Sequence, residues 1–340
     1  MSPPTFETDS GIYIPDDIVF SILSKLPVKP LKRFACVRKS WSHLFENPVF
    51  MNMFRNNLVS KSHPRYEDDD ACLIFPRILD PVKKLSVLTG EKFEKEIKLN
   101  LPPPFGIQKN DLYNGVRILC SAINGILCIY SWFNPSEIVL WNPATNEVYV
   151  VPPNLSESLP NCATNYFLIY LNGFGYDHVS DDYKVIRFVL YQEDMCNTPD
   201  CFYEIYSLRS HSWRKLDVGK PIAYHKLMGS EVYFDAVCHW LGSTNDKCDV
   251  VSFNLSNEMF FTTPLDMHGD ACLVVLNGSV AIISYYKGST SFSISILGEI
   301  GVKESWTRLF DVGPLSSILY PIAAGKKGNI FFIKKMMNPN

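Results

Sequence analysis

A repeating unit of short strands is the feature that most constrains how this chain can fold. From about residue 116 onward, apolar runs alternate with turns, and polar hairpin turns lie near residues 144, 210, 256 and 300. Apart from a longer first interval, these turns recur at roughly 40 to 50 residues, the period of a four-stranded propeller blade. One such sheet buries only part of its faces, so neighbouring copies must stack against it. The pattern predicts a β-propeller-like domain, with a β-sandwich as the alternative.

Turn and aromatic residues support the strand pattern. Asn124-Gly125 separates the apolar runs 116–122 and 126–132, and Asn-Gly between apolar runs is a strong hairpin signal. The last unit provides only two runs, 321–324 and 329–334, so the segment around 72–99 is a candidate to complete it. Large aromatic residues recur at strand positions and are expected in the core, which leaves the loops as the better candidates for binding. These aromatic residues are Trp141, Tyr206, Trp213, Trp240 and Trp306.

The N-terminal stretch 12–54 has a helical pattern instead. Its apolar residues recur three and four positions apart, and Pro27 and Pro30 interrupt the pattern. About 40 residues bury too little surface to be stable alone, so this module should complete its core against another surface. The spacing predicts three short helices over about 17–25, 30–37 and 39–46, and a fourth from Pro48 to about Phe54.

A polar and acidic run separates the helical stretch from the strands. The predicted fold class is α+β, mainly β, with a small helical module before the repeated sheets. From the N-terminus, the predicted segments are a disordered lead-in at 1–11, a helical module at 12–56, a linker at 57–71, a β domain at 72–335 and a tail at 336–340.

The helical stretch carries a resemblance to a known family. The order Ile-Pro, Ile-Leu, Leu-Pro, then Cys-Val-Arg-Lys-Ser-Trp at 36–41, resembles the F-box of plant proteins, with Ile14 in place of the usual leucine. The resemblance implies docking on the adaptor Skp1 and, through it, membership of a cullin-RING ubiquitin ligase. The residues implied to contact Skp1, or to pack behind those contacts, are Ile14, Pro15, Ile18, Ile22, Leu23, Leu26, Pro27, Leu31, Phe34, Val37, Trp41 and Leu44.

The strand region carries a second resemblance. The runs Leu140–Thr145, Gly173–Asp177, Tyr206–Leu208 and Val237–Trp240 are similar to the type 1 F-box-associated interaction domain of plant F-box/kelch-repeat-like proteins. In that family, this domain captures the protein to be ubiquitinated. The two resemblances together imply a non-catalytic substrate-recognition subunit of an SCF (Skp1–cullin–F-box) ligase, whose partners are a Skp1-like adaptor and an unknown protein substrate.

Two other interpretations of the helical module follow from its residues. It could be a cap packed on its own domain, or a helix-turn-helix DNA reader, because four basic residues lie close together. The net charge of -3 and the neighbouring acidic residues argue against a nucleic-acid or anionic-membrane partner. The four basic residues are Lys32, Arg33, Arg38 and Lys39.

The cysteines and the N-terminus predict a cytoplasmic or nuclear protein. The ten cysteines include no Cys-x-x-Cys pair, and several lie in apolar runs, as buried reduced thiols do. The first residues, MSPPTFETDSG, lack the basic and apolar regions of a signal peptide, and no run of about 18 apolar residues predicts a membrane span.

The sequence assigns no catalytic residue, metal site or cofactor. The histidines are scattered, and His239 is expected to be a packed or hydrogen-bonded strand residue. Asp177, Asp181 and Asp182 could hold a cation but are more typical of a turn. The remaining alternatives are a propeller-fold enzyme or small-molecule binder with a helical cap, and a scaffold that binds Skp1 without degrading a client.

Overall fold

The chain is mainly β, as the sequence predicts. The computed structural model describes residues 16–26, 31, 41, 43–60, 73–76, 84–89, 94–105, 115–154, 166–192, 200–217, 225–243, 248–267, 269–286, 288–316, 318–325 and 328–334. These ranges contain two α-helices and 21 β-strands. No helix among them is both long and apolar enough to cross a membrane.

The helices lie at the N-terminus. Helix α1 spans Asp16–Leu23, a 3-10 turn spans Leu44–Glu46, and helix α2 spans Pro48–Ser60. The Oδ1 atom of Asn47 accepts hydrogen bonds from the backbone N–H groups of Val49 and Phe50, at 2.9 and 3.1 Å, and so caps α2.

Helix α2 is longer than the sequence predicts. It continues beyond Phe54 to Ser60 and so enters the segment 57–71, because no glycine or proline interrupts residues 55–60. The division of the chain at 56/57 stays a prediction, and 61–71 lies outside the described residues. The predicted helix at 30–37 is also outside them, except for Leu31, which is helical.

The strands alternate with short turns along the rest of the chain. In chain order they are β1 (Leu73–Pro76), β2 (Lys84–Thr89), β3 (Lys95–Asn100), β4 (Val116–Ile123), β5 (Ile126–Ser131), β6 (Ile138–Asn142), β7 (Glu147–Val151), β8 (Tyr166–Asp177), β9 (Asp182–Gln192), β10 (Asp200–Ser207), β11 (Ser212–Lys215), β12 (His225–Phe234), β13 (Val237–Ser243), β14 (Cys248–Asn254), β15 (Phe260–Leu265), β16 (Asp270–Leu276), β17 (Ser279–Tyr285), β18 (Phe292–Leu297), β19 (Trp306–Val312), β20 (Ile318–Ala324) and β21 (Ile330–Lys334).

Consecutive strands pair into antiparallel sheets. In the described part of the chain there are six, of which four are four-stranded: sheet 1 (β4–β7), sheet 2 (β8–β11), sheet 3 (β12–β15) and sheet 4 (β16–β19). The predicted unit of four strands is thus confirmed. Strands β20 and β21 form a two-stranded sheet, and β1–β3 form their own three-stranded sheet. The expectation that residues 72–99 complete the last unit is therefore wrong for these strands, because β1–β3 hydrogen-bond to one another.

Asn-Gly pairs form the tight turns at the first hairpins of sheets 1 and 4. Asn124 and Gly125 have φ values of 50° and 80°, and Asn277 and Gly278 have values of 46° and 75°. Two successive residues with positive φ are what a type I′ turn requires, and its twist matches that of the flanking strands. The hairpin predicted at Asn124-Gly125 is confirmed.

The first strands of successive sheets lie against one another. Strand β8 contacts β4 and β12, and β16 contacts β12 and β20. The approach is close at Gly173 in β8, where an added Cβ atom would lie 2.5 Å from the Cβ atom of Cys238 in sheet 3. The pair Gly173 and Gly175 lies within strand β8, at an inter-sheet contact.

The recurrent aromatic residues belong to the core, as predicted. Trp141, Tyr206 and Trp240 are buried, and Trp213 and Trp306 are half-buried against apolar clusters. The indole Nε1 of Trp213 also donates a hydrogen bond of 2.7 Å to the carbonyl of Pro152, which joins sheet 2 to the end of sheet 1.

A buried polar cluster joins sheets 2 and 3. The carboxylate of Asp177 accepts hydrogen bonds from Lys184 Nζ at 2.7 Å and from Ser256 Oγ at 2.5 Å, and Lys184 also donates to the carbonyl of Leu255. Burial by itself raises the pKa of Asp177, but these hydrogen bonds outweigh it and hold the pKa below its usual range. The turn predicted at 177–182 is confirmed, and no group of metal-ligating side chains occurs among the described residues.

Gly173→Ala is expected to destabilise the fold by about 1–3 kcal/mol, because the new methyl group would force Cys238 or its strand to move. Urea unfolding of the variant and the wild type measures the difference. Gly325→Ala is the matched control, since its nearest neighbour is the ring edge of Phe331 at 3.2 Å. Equal losses in the two variants would contradict the close contact at Gly173.

His239 is expected to make stability fall as the pH falls below about 6.5. The ring is buried, its Nδ1 lies 2.8 Å from Ser252 Oγ, and burial lowers its pKa from 6.5 to about 3. Between these two values the unfolded chain binds a proton that the native chain does not, which costs up to about 1.4 kcal/mol per pH unit. Thermal melts between pH 7 and 4.5 should show a shallower slope for His239→Asn; parallel curves would rule out this residue as the cause.

Candidate functional site

Helix α1 presents two apolar side chains to solvent. Ile18 is 47% exposed and Ile22 is 56% exposed, and the two lie one helical turn apart on the same face. Val19 and Leu23 are buried, at 6% and 5% exposure. The helix is therefore apolar on its buried face and also on part of its exposed face.

Aromatic packing holds α1 against α2. The rings of Phe20 and Phe50 lie 5.6 Å apart in an edge-to-face arrangement, and Phe50 stacks on Phe54 at 6.0 Å. Leu31 and Leu44 are buried in the same cluster. This packing fixes the orientation of α1, and with it the direction in which Ile18 and Ile22 point.

The core of the helical module continues into the β region. One apolar cluster contains Val19, Leu23 and Phe50 together with Cys272 and Phe292 of sheet 4. Half-buried side chains of β20 and β21 pack against this cluster as well. The module therefore completes its core within this chain, so the interpretation as a cap packed on its own domain describes its buried face. The exposed pair on α1 is left outside that core.

The residues implied by the F-box resemblance to contact Skp1 differ in their burial. Leu23, Leu31 and Leu44 are buried, and Leu26 and Trp41 are half-buried against the shared cluster. Ile18 and Ile22 are exposed. The remaining five lie outside the described residues: Ile14, Pro15, Pro27, Phe34 and Val37.

Sequence reasoning missed part of the module's core. Phe50, Met51 and Phe54 are buried in α2, although this helix was predicted without assigning them a role. Their spacing of three and four residues is the signal that could have identified a buried face. The sequence also could not separate docking from packing residues in α1, because both kinds are apolar.

The two best-formed clefts in the described part of the chain are small. One has a volume of about 280 Å³ and is lined by Phe20, His43, Leu44, Glu46 and Asn47. The other has a volume of about 180 Å³ and lies at the end of strands β6 and β7. Both are below the roughly 300–1,000 Å³ that small-molecule sites usually offer.

The buried thiols are poor nucleophiles. Burial raises the pKa of Cys128 and Cys238 well above the ordinary value, and it raises the pKa of Cys272 to about 12. A thiol with such a pKa stays protonated near neutral pH, whereas nucleophilic attack requires the thiolate. Cys128, Cys238 and Cys272 are free thiols.

Comparison with known proteins assigns the family. The sequence model described as the F-box associated beta propeller domain matches residues 96–338. F-box protein CPR1 of Arabidopsis thaliana is 25% identical over 331 residues, which cover 90% of this chain and 74% of the relative. An F-box/kelch-repeat protein of the same plant is 24% identical and aligns over 95% of this chain and 85% of the relative. The chain is a plant F-box protein with an F-box-associated domain.

Two solved structures are distant matches to this F-box protein. A chain of a nidogen/laminin complex is 12% identical and covers 78% of this chain and 85% of its own length, with a TM-score of 0.44. An oligogalacturonate lyase in complex with manganese is 13% identical and covers 74% of this chain and 65% of its own, with a TM-score of 0.40. Similarity at this level carries no argument about activity.

Leu23→Ala is expected to destabilise the helical module by about 2–4 kcal/mol, because it opens a cavity in the shared cluster. Ile22→Ala, one position away on the exposed face, should change stability by no more than about 0.5 kcal/mol. Hydrogen exchange measured on peptides covering 16–26 reports both effects. Similar losses of protection in the two variants would contradict the division of α1 into a buried and an exposed face.

Proposed function

We propose that this F-box protein is the substrate-recognition subunit of an SCF ubiquitin ligase. The observation that carries the proposal is the exposed pair Ile18 and Ile22, one helical turn apart on α1, beside Val19 and Leu23, which are packed within the chain. Covering such a side chain contributes at most about 1.5–3 kcal/mol, so this pair would be the centre of a larger docking surface for Skp1. Leu23, Leu31 and Leu44 would act indirectly, by holding α1 in place.

The β region would be a propeller that recruits the protein target. Contacts between the first strands of successive sheets support this arrangement, since the innermost strands of propeller blades meet around a central axis. The four-stranded sheets would be complete blades. Four separate sheets, each a meander of consecutive strands, favour a propeller over the β-sandwich, in which two sheets pack face to face.

The proposed role is that of a non-catalytic adaptor. A receptor that holds a target lysine near a charged conjugating enzyme accelerates transfer through proximity, so it needs no nucleophile of its own. The protonated buried thiols and the small clefts favour this role over that of an enzyme or small-molecule binder. Free cysteines fit a cytoplasmic or nuclear location.

Capture of the full-length protein on immobilised Skp1 tests the docking face. Ile22→Asp should reduce capture at least about tenfold, because it places a charge where an apolar contact is required. Phe133→Asp is the matched control, since Phe133 is 62% exposed on the loop after β5. Thermal melts confirm that both variants fold. Undiminished capture of Ile22→Asp, or an equal loss of capture in both variants, would show that α1 is not the docking helix.

Turnover of bound clients separates a degradative receptor from a scaffold that only binds Skp1. Proteins that accumulate with a chain carrying Ile22→Asp, and that decline with the wild type, would be clients of a ligase. Clients whose half-lives are equal with the two chains would instead support the scaffold.

A further inference from the structure

Strand β7 lies at the outer edge of sheet 1. It is the last strand of the sheet and hydrogen-bonds to β6 on one side. Among the described residues, no backbone hydrogen bond reaches its other side. An edge strand of this kind presents a row of unpaired N–H and C=O groups, which can pair with another extended segment.

The composition of β7 distinguishes it from the outer strands of sheets 2, 3 and 4, which carry features that hinder such pairing. Strand β11 exposes Arg214 and Lys215, and β15 contains Pro264, which has no N–H group to donate. Strand β19 has a register shift against β18 and exposes two charged side chains. Residues 148–151 of β7, Val-Tyr-Val-Val, contain no charge and no proline, and their pairing with β6 is regular. Of these four outer strands, β7 is thus the least protected against the addition of another strand.

An apolar strip follows β7 on one face of the sheet. Val148 is 40% exposed and Val150 is 54% exposed, and side chains two residues apart project from the same face of a strand. Their register partners in β6, Trp141 and Val139, are buried. Val139 and Val150 line the cleft of about 180 Å³ together with Pro104. The apolar face of sheet 1 therefore extends to β7 but is less completely covered there, and the cleft lies on the same face.

A carboxylate lies near each end of β7. Glu147 begins the strand, and Glu137 lines the cleft and precedes Ile138, the register partner of Val151 at the other end. Glu147 accepts a hydrogen bond of 2.8 Å from the hydroxyl of Thr145. In the part of the chain that the structure describes, neither carboxylate forms an ion pair. An occupant with basic residues at both ends of an apolar run would match the charge of this edge.

The same charges disfavour a second copy of this chain as the occupant. Antiparallel pairing of β7 with β7 across a two-fold axis would bring Glu147 of each copy to the end of the strand where Glu137 of the other copy lies. Parallel pairing would oppose Glu147 to Glu147. Like charges opposed across paired strands are destabilising, so a partner of different sequence fits this edge better.

We propose that β7 binds an extended segment of the target protein as a fifth strand of sheet 1, an inference that rests on the proposed role as a substrate receptor. The segment has alternating apolar residues and a basic residue at each end. Backbone hydrogen bonds to β7 provide affinity, and alternate side chains provide specificity. Its apolar side chains cover Val148 and Val150 and reach the cleft beside Pro104. Recognition of this kind requires no deep pocket.

Titration of the full-length protein with three labelled peptides tests this inference. The parent probe is fluorescein–Gly-Ser-Lys-Val-Thr-Val-Lys-Ser-Gly. One derivative is N-methylated at both valines, and the other at the threonine and the second lysine. Alternate N–H groups of a strand point to opposite edges, so only one derivative loses the donors that face β7. The wild type should bind the parent saturably below about 1 mM, and one derivative alone should bind at least about tenfold more weakly.

Variants of the strand locate the binding edge. Val150→Lys should weaken binding of the parent peptide about tenfold, because it replaces an apolar contact with a charge that repels the lysines of the peptide. Phe261→Lys is the matched control, since Phe261 is also an exposed apolar residue of an outer strand, β15, and should leave binding unchanged. Glu147→Gln should weaken binding about two- to fivefold. Thermal melts identify a variant that fails to fold, and Val148→Lys then takes the place of Val150→Lys.

Three results would overturn the inference: no saturable binding of the parent peptide up to about 1 mM, equal affinities for the two N-methylated derivatives, or equal binding by Val150→Lys and Phe261→Lys. Hydrogen exchange over residues 147–151 tests the other occupants. If every amide there is already protected in the free protein, a segment of this chain or a second copy covers the edge, and the inference also fails. A dimer in sedimentation that Val150→Lys dissociates would identify the second copy.

Skp1 capture measured on the same samples separates this inference from the proposed function. Retained capture with failed peptide binding would exclude β7 as the docking edge and leave the ligase role in place. Failed wild-type capture, with peptide binding that depends on Val150, would exclude the ligase role and keep β7 as a peptide-binding edge.

Discussion

Burial of strands on both faces is the constraint on which the rest of this structure depends. In β5, all five residues 127–131 are buried, and β9 and β17 are buried almost as completely. A four-stranded meander cannot cover both of its own faces, so each sheet requires a neighbour on either side. The stacking of sheets through their first strands satisfies this requirement, and glycines at 173 and 175 allow the backbones to approach.

Polar contacts set the registration of one sheet on the next. Asp177 and Lys184 of sheet 2 reach Ser256 and the carbonyl of Leu255 in sheet 3, so a turn of one sheet is joined to a turn of its neighbour. Arg187 and Glu204 form a second buried pair within sheet 2, at 2.6 Å. A buried charge pair adds little net stability, but a buried charge without its partner is costly. Such pairs therefore favour the native register of strands and sheets over registers in which the pair is separated.

Most strands could be predicted from the sequence, because short apolar runs bounded by Asn, Gly and Pro are typical of strands. The first half of β8 could not be predicted. Residues 166–172 lack a clear alternation of apolar and polar side chains, and they are held in the sheet by their pairing with β9. In the helical module, the apolar spacing identified α1 but not which face is covered. That distinction depends on sheet 4 and β20–β21, which lie at the other end of the sequence.

The apolar cluster shared by α1 and sheet 4 also bears on the order of folding. Val19 and Phe292 come from opposite ends of the chain, so bringing them together closes a loop that contains nearly all of the strands. Contacts of such long range are formed only after the intervening segments have lost most of their freedom. The final position of α1 therefore reports on completion of the β region, and a chain still being synthesised or partly folded would not present its first helix in the native setting.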